Sequence, residues 1–414
     1  MDDEIKTDQI QIDEKQRKKA EKEARRSKYD ISYIPVLDGI RAVSVLIVVW
    51  FHFWQQSWLM PIWGDFNIDW IPRNGSILVD MMILLSGFCL FLPHAKEMVY
   101  GDKALGAGIF YQKRVARIAP SYFVCIFLVL FCFALPLNEY ATTQDMWKDL
   151  VPHMFFTHNL FPASTQFSKL NGALWTVGVE MQLYLIFPLV VKFFKKKPFL
   201  TYAGMVLIGW ISCTYISKNF DTLNHSVYLN HTLTFFGVFA NGMMGAWAYM
   251  SMTKNRTRTK AEEALFLLMA IVGLWLFKLA CEDRMRYQSN TQWQVDKRFL
   301  LSLLFLFILF SIIMAGRYLK WLFGNRVMKF LAGISFNLYI WHQFIAVRLK
   351  EFRIPYWEGN TPPNQTGDKQ WMWTYMILCI VVSFAVAILM TYAVEKPLAK
   401  LIMKIGKKKK DLKE

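Results

Sequence analysis

Apolar runs of about 20 residues, the length an α-helix needs to cross the hydrocarbon core of a bilayer, recur along almost the whole sequence. Ten can be placed: 37–59, 75–93, 118–137, 174–191, 199–217, 229–250, 262–280, 299–316, 327–347 and 371–393. A backbone in lipid must satisfy its own hydrogen bonds, and each run is long enough to do so as a helix. The expected fold class is therefore an all-α integral membrane protein with about ten transmembrane helices. Composition agrees, with 55% hydrophobic residues against about 45–50% in a soluble domain.

Lysine and arginine counts orient the chain. With the N-terminus inside, the inner segments hold 34 of them and the outer segments 12, so both termini are expected in the cytoplasm. Much of the net charge of +17 is then topology signal rather than a nucleic-acid footprint, and no nucleic-acid-binding motif is present. Three parts are expected. Residues 1–32 read as a charged, Lys/Glu-rich cytosolic tail, solvated and partly disordered, with Gln9 to Arg26 its helical candidate. Residues 33–399 form the membrane domain, and residues 400–414 a basic cytosolic tail suited to anionic lipid. The N-terminus lacks the apolar core of a signal peptide. Six cysteines (Cys89, Cys125, Cys132, Cys213, Cys281, Cys379) sit in or at the ends of apolar runs without metal-ligand spacing, so neither zinc nor a disulfide is expected.

The longest outer connection, 138–173, contains an amphipathic piece around Met146–Phe156 and is expected to be interfacial or re-entrant, suited to a lid or acceptor site. The outer loop 350–370 is rich in Pro, Gly and Asn and is expected to be irregular.

Ionisable groups inside apolar runs are costly and usually face a protein interior, a partner or a watery cavity. Arg41 and His52 lie on the first run with only apolar residues and Ser44 between them. Eleven residues turn a helix by about 1100° and advance it roughly 16 Å, which puts the two on one stripe. Asp80 in the second run needs a partner; a structural salt bridge and a catalytic role are both open. Arg114 and Arg117, three apart, share a helical face at the entry to the third run. They read either as positive-inside anchors or as a forked clamp for phosphate. Glu180 in the fourth run can orient an imidazole, act as a base or join a packing ion pair, with Gln182 and Tyr184 nearby. The ninth run brings Ser335, Asn337 and His342, and the tenth ends at Glu395-Lys396-Pro397, where Pro397 is expected to stop the helix. His94, His153, His158, His225 and His231 fall nearer the surfaces and are treated as background.

In this order the segments resemble the acyltransferase 3 family of multipass membrane proteins. The matching stretches are Leu37-Asp38-Gly39-Ile40-Arg41-Ala42 with His52, Val79-Asp80 through Ser86-Gly87-Phe88, and Arg114-Val115-Ala116-Arg117-Ile118-Ala119-Pro120. Trp175 through Glu180 to Tyr184, Ser335 to His342 and Glu395-Lys396-Pro397 complete the set, covering about 33 to 400. The resemblance implies transfer of an acyl group, usually acetyl from acetyl-CoA, to a hydroxyl of an extracytoplasmic carbohydrate such as exopolysaccharide or cell-wall glycan, at the cytoplasmic membrane. It implies essential roles for Arg41 and His52 and a link of Arg114 and Arg117 to the acyl donor. Two departures stand out: Ser76 replaces the second glycine before the second run, and Thr176-Val177-Gly178-Val179-Glu180 replaces a serine-containing segment while keeping Glu180. Some relatives carry a C-terminal hydrolase-like domain that this sequence lacks, so it is expected to act alone or to hand its acyl group to a separate extracytoplasmic partner.

The site expected on these grounds has His52, Glu180 and Asp80 as catalytic groups, with Asp80 or Glu180 holding the His52 tautomer. Arg41, Arg114 and Arg117 receive the acetyl-CoA donor, and His342, Trp175 and Tyr184 contact the acceptor. No metal is expected. The rival class is a multipass exporter of a lipid-linked sugar or another anion; no repeat between halves and no paired broken spans support it.

Overall fold

The computed structural model describes residues 33–220, 227–254, 256–287 and 289–411. The expected tail 1–32, with its Gln9–Arg26 helix, and His225 lie outside the described residues. Helix α1 is Pro35–Ser57, begun by a proline at its first position, where no N–H is needed. A two-stranded hairpin, β1 Ile62–Trp63 and β2 Phe66–Asn67, precedes α2, Leu78–Tyr100. Next come α3 Ala107–Val129, the short α4 Thr143–Met154, α5 Trp175–Lys196, α6 Pro198–Asn219 and α7 Phe236–Met252. The rest is α8 Lys260–Arg286, α9 Asn290–Met314, α10 Arg317–Phe323, α11 Arg326–Glu351, α12 Lys369–Leu389 and α13 Lys396–Asp411.

Among the described residues, nine helices are long and apolar enough to cross a membrane. The tenth expected span, 229–250, is a 3-10 turn Thr232–Phe235 leading into the 17-residue α7. Helix α7 packs directly against α2. A Cβ on Gly242 would meet the Leu84 carbonyl oxygen at 2.1 Å, and one on Gly87 the Phe239 carbonyl oxygen at 2.4 Å. Such backbone contact needs glycine on both sides, a common way to pack helices where lipid is as apolar as leucine. The apolar spans differ in what surrounds them. Along α2 and α11 the core windows are 78% and 67% buried, whereas along α6 and α8 they are 22% and 17% buried. The first pair forms the interior and the second faces lipid.

Three boundaries differ from the sequence reading. Helix α3 begins at Ala107, eleven residues before the apolar run, so Arg114 and Arg117 sit two to three turns inside it. Helix α9 begins at Asn290 under a Ser289 cap whose hydroxyl accepts from Gln292 N at 3.3 Å, which carries Arg298 well into the helix. Apolar periodicity marks only the hydrocarbon part of a helix; polar turns beyond it go unseen. Finally, Pro397 does not end the chain's last helix. A π-helical stretch, Met390–Glu395, intervenes, and helix resumes as α13 with Pro397 at its second residue. The π-helical turn directly before it is a known way for a helix to accommodate such a break and continue.

The connection 138–173 contains α4, capped by Thr142, whose hydroxyl accepts from Asp145 N at 3.1 Å. His153 and His158, read as surface background, are fully buried beneath it, their rings stacked 4.1 Å apart. His153 Nδ1 donates to the Asp149 carbonyl at 2.7 Å, and His158 Nε2 to the Leu174 carbonyl at 2.8 Å. Burial pushes His153 down to about 4 and His158 well below its ordinary value, where the neighbouring His153 adds to the effect. Asp149 Oδ2 accepts from Tyr140 OH, Ser168 Oγ and Lys169 N, which ties this connection to itself.

Candidate active site

Helix α1 packs on α11 and α2, and α3 and α5 close the remaining sides. Between these helices lies a narrow cavity of about 90 Å³ lined by Arg41, Arg114, Arg117, Glu180 and Tyr184, with Ser335 and Tyr339 from α11. Three guanidiniums thus meet one carboxylate inside the helix bundle.

Hydrogen bonds and ring contacts fix the walls. Tyr184 OH donates to Glu180 Oε2 at 3.1 Å and lies 3.1 Å from Ser86 Oγ. The Arg114 guanidinium sits over the rings of Phe110 and Tyr184 at 5.9 and 5.8 Å, a cation–π placement that leaves its N–H edge for a ligand. Arg41 Nη2 points at the Cys89 sulfur, 3.7 Å away and a weak acceptor, so its donors are also largely uncommitted. Farther back along α11, Asn337 Nδ2 donates to Glu395 Oε2 at 2.7 Å, which gives the Glu395-Lys396-Pro397 segment a fixed partner.

One helical turn beyond Tyr339 stands His342, its ring 5.5 Å from that of Tyr339 and 5.0 Å from that of His52. His52 itself does not line the cavity; it lies just past the Tyr339 end. His342 Nδ1 donates to the Tyr339 carbonyl at 2.7 Å, with Leu338 O at 3.2 Å. A carbonyl can only accept, so the proton is on Nδ1 and Nε2 keeps its lone pair. That Nε2 is buried and has no hydrogen-bond partner among the described residues. His52 Nδ1 bonds Gln55 Oε1 at 3.1 Å, which likewise leaves Nε2 as the basic nitrogen. The site therefore holds two imidazoles side by side, each with a lone pair available.

The expected residues separate into two groups. Arg41, Arg114, Arg117, Glu180 and Tyr184 come together in the cavity, with His52 and His342 paired at its end. Asp80 and Trp175 do not. Asp80 is fully buried and accepts from Arg298 Nε at 3.3 Å. Trp175 packs on Phe235 at 6.0 Å, and that ring in turn supports Arg298 at 4.2 Å. The tautomer of His52 is held by Gln55, one turn along the same helix, rather than by Asp80 or Glu180. Sequence reasoning missed Gln55 and Arg298. An i, i+3 amide beside a helical histidine was the available signal for Gln55; Arg298 was hidden by the late start given to its helix.

Fold and site together define a class: a multipass, all-α membrane protein whose bundle encloses a cation-lined cavity ending at a histidine pair. The chain belongs to the acyltransferase 3 family, whose model, described as an acyltransferase domain, matches residues 34–392. It is 25% identical over 324 residues to a Staphylococcus aureus (strain COL) protein assigned by name as an O-acetyltransferase, covering 75% of this chain and 50% of that one. It is 23% identical over 397 residues to a Bacillus subtilis (strain 168) protein assigned by name to peptidoglycan O-acetylation, covering 88% of this chain and 55% of the relative. The O-acetyltransferase OatA of Staphylococcus aureus (strain NCTC 8325 / PS 47) is 23% identical over 345 residues, with 81% and 53% covered. The chain spans about half the length of these curated relatives. No solved structure matches it.

Proposed function

We propose that the protein is a membrane O-acyltransferase that moves an acetyl group from cytoplasmic acetyl-CoA to a hydroxyl of an extracytoplasmic carbohydrate, with both termini in the cytoplasm and the domain in the cytoplasmic membrane. The observation that carries this reading is the cavity itself: Arg41, Arg114 and Arg117 around one carboxylate, leading one turn on to His342 and His52. A CoA thioester has anionic phosphates at one end and a thin, extended arm at the other. Guanidiniums suit the phosphates, and Tyr339, which lines the same cavity, stands one helical turn from His342, the direction the arm would extend.

His52 Nε2 takes the proton of the acceptor hydroxyl as the oxygen attacks the thioester carbonyl; the carbon–sulfur bond breaks and the thiolate leaves with a proton. Gln55 keeps the His52 proton on Nδ1, and so keeps Nε2 basic. The second lone pair, on His342, lies where it can share the proton that His52 acquires. Glu180 offsets the mutual repulsion of the arginines, and Tyr184, bonded to it, completes the cavity wall. Asp80 has a positioning role, neutralising Arg298 rather than touching the reacting atoms. The acceptor is supplied from outside, and a separate extracytoplasmic protein is its alternative as first recipient of the acetyl group.

Membranes containing the protein, incubated with acetyl-labelled acetyl-CoA, will transfer label to surface glycan. Carbohydrate crossing the membrane without label would replace this reading with export.

A further inference from the structure

A second cavity of about 370 Å³ opens between α6, α9 and the start of α7, away from the arginine cavity. At its wall lies Arg298, 2% exposed. Its Nε donates to Asp80 Oδ2, and Nη1 donates to the Leu229 carbonyl at 2.8 Å and Thr234 Oγ1 at 2.9 Å. Nη2 is buried with no hydrogen-bond partner among the described residues; the guanidinium also interacts with the Cys213 thiol, a weak acceptor. A charged donor left unmatched in the interior is costly, and native structures normally supply an acceptor. Arg284 of α8, 6% exposed, adds a second buried guanidinium within the field of Asp80. Two cations therefore lie in the field of Asp80.

The rest of the lining is divided. Thr214, Ser217 and Lys218 provide hydroxyls and an ammonium toward the end of α6, the Ser217 hydroxyl also accepting from Gln292 Nε2 at 3.2 Å. Val206, Trp210 and Phe299 provide an apolar flank, and Trp210 is 61% exposed on a helix that faces lipid. Asp296, at the rim, is exposed and occupied by Tyr287 OH and Gln292 Nε2. Cations and hydroxyls at one end with an open apolar flank match a phosphate joined to acyl chains.

We propose that this cavity binds the phosphate-bearing head of one anionic lipid, admitted sideways between α6 and α9. A phosphate oxygen accepts from Arg298 Nη2 and others from Thr214, Ser217 and Lys218, while the chains leave along Trp210 into the bilayer. The site is separate from the acyl-transfer cavity and does not depend on that reading.

Purified full-length protein in mild detergent, titrated with phosphatidylglycerol and followed by native mass spectrometry, is expected to take up one tightly held lipid per chain. Diacylglycerol with the same chains, lacking the phosphate, is expected to bind at least about tenfold more weakly, the worth of one charge-assisted hydrogen bond. Thr214→Trp, which fills the cavity, should abolish uptake, and Lys218→Ala should weaken it by about tenfold. Both positions lie outside the Asp80–Arg298 pair, so the fold is retained, and helicity measured alongside confirms it. Inorganic phosphate that fails to compete supports a lipid source; full competition would keep the anion chemistry and overturn the lipid. Equal binding of diacylglycerol, or uptake unchanged in both variants, would overturn the proposal.

Discussion

Two clusters of charge inside the helix bundle look alike in sequence and behave differently in space. Around Arg41, Arg114 and Arg117, three cations share one carboxylate and an open cavity; Arg41 Nη2 meets only the Cys89 sulfur, and Arg114 Nε has no hydrogen-bond partner among the described residues. Around Asp80, Arg298 is clasped on two of its three nitrogens by a carboxylate, a carbonyl and a hydroxyl, with one edge left over. On the proposed reading the first cluster receives the acyl donor. The second ties α2 and α9 to the segment that leads into α7, because removing either member of a buried ion pair is strongly destabilising. The comparison teaches that an intramembrane charge marks chemistry only when its hydrogen-bonding capacity is left unspent.

The sharpest way to break this contrast is at the histidine pair. His52→Ala should lower acetyl transfer by roughly 10³-fold, within the range for loss of a general base, while the protein stays in the membrane with its thermal midpoint nearly unchanged. Transfer at the normal rate would remove the assigned role. Asp80→Ala should do the reverse of a catalytic change. It leaves Arg298 buried without its carboxylate and should cost about 3–5 kcal/mol of stability, read as a lowered thermal midpoint and reduced yield. A folded, fully stable Asp80→Ala protein with no activity would move Asp80 into the reaction.

Next in size is the paired change Arg114→Ala with Arg117→Ala, expected to raise the apparent KM for acetyl-CoA by roughly 10- to 100-fold, the worth of one or two charge-assisted hydrogen bonds. An unchanged donor dependence would leave those arginines as topology anchors. The smallest effect concerns the outer connection. His153 is neutral when folded, with its value near 4 against about 6.5 unfolded, so protons bind the unfolded form more readily between those limits. Its contribution is present above about pH 6.5 and is lost as pH falls toward 4, up to about 3 kcal/mol. Hydrogen exchange should therefore show α4 and residues 166–172 opening at pH 4.5 while α2 and α7 stay protected.

Much of the architecture was legible in residues alone. The recurring apolar runs announced the all-α multipass fold, and the Arg41–His52 spacing announced that one stripe of α1 would face a polar interior. Arg114 and Arg117 were legible as a pair because i, i+3 spacing is a local property of a helix. The partners were not. That Asp80 belongs to Arg298, 218 residues away, and that His342 stands against His52, depend on which helices pack together. His153 and His158 looked superficial because they lie in a polar connection, yet that connection folds over them.

The amino-acid order determined which segments could enter lipid and which side chains would be expensive there, because hydrophobic transfer and backbone hydrogen bonding act over one or two turns. Only the tertiary structure decided how each expensive group was satisfied. Glycine-to-backbone contact between α2 and α7, and the packing of α1 on α11, are long-range choices with no local signature, and they turn one set of charges into struts and leave another free to hold a ligand.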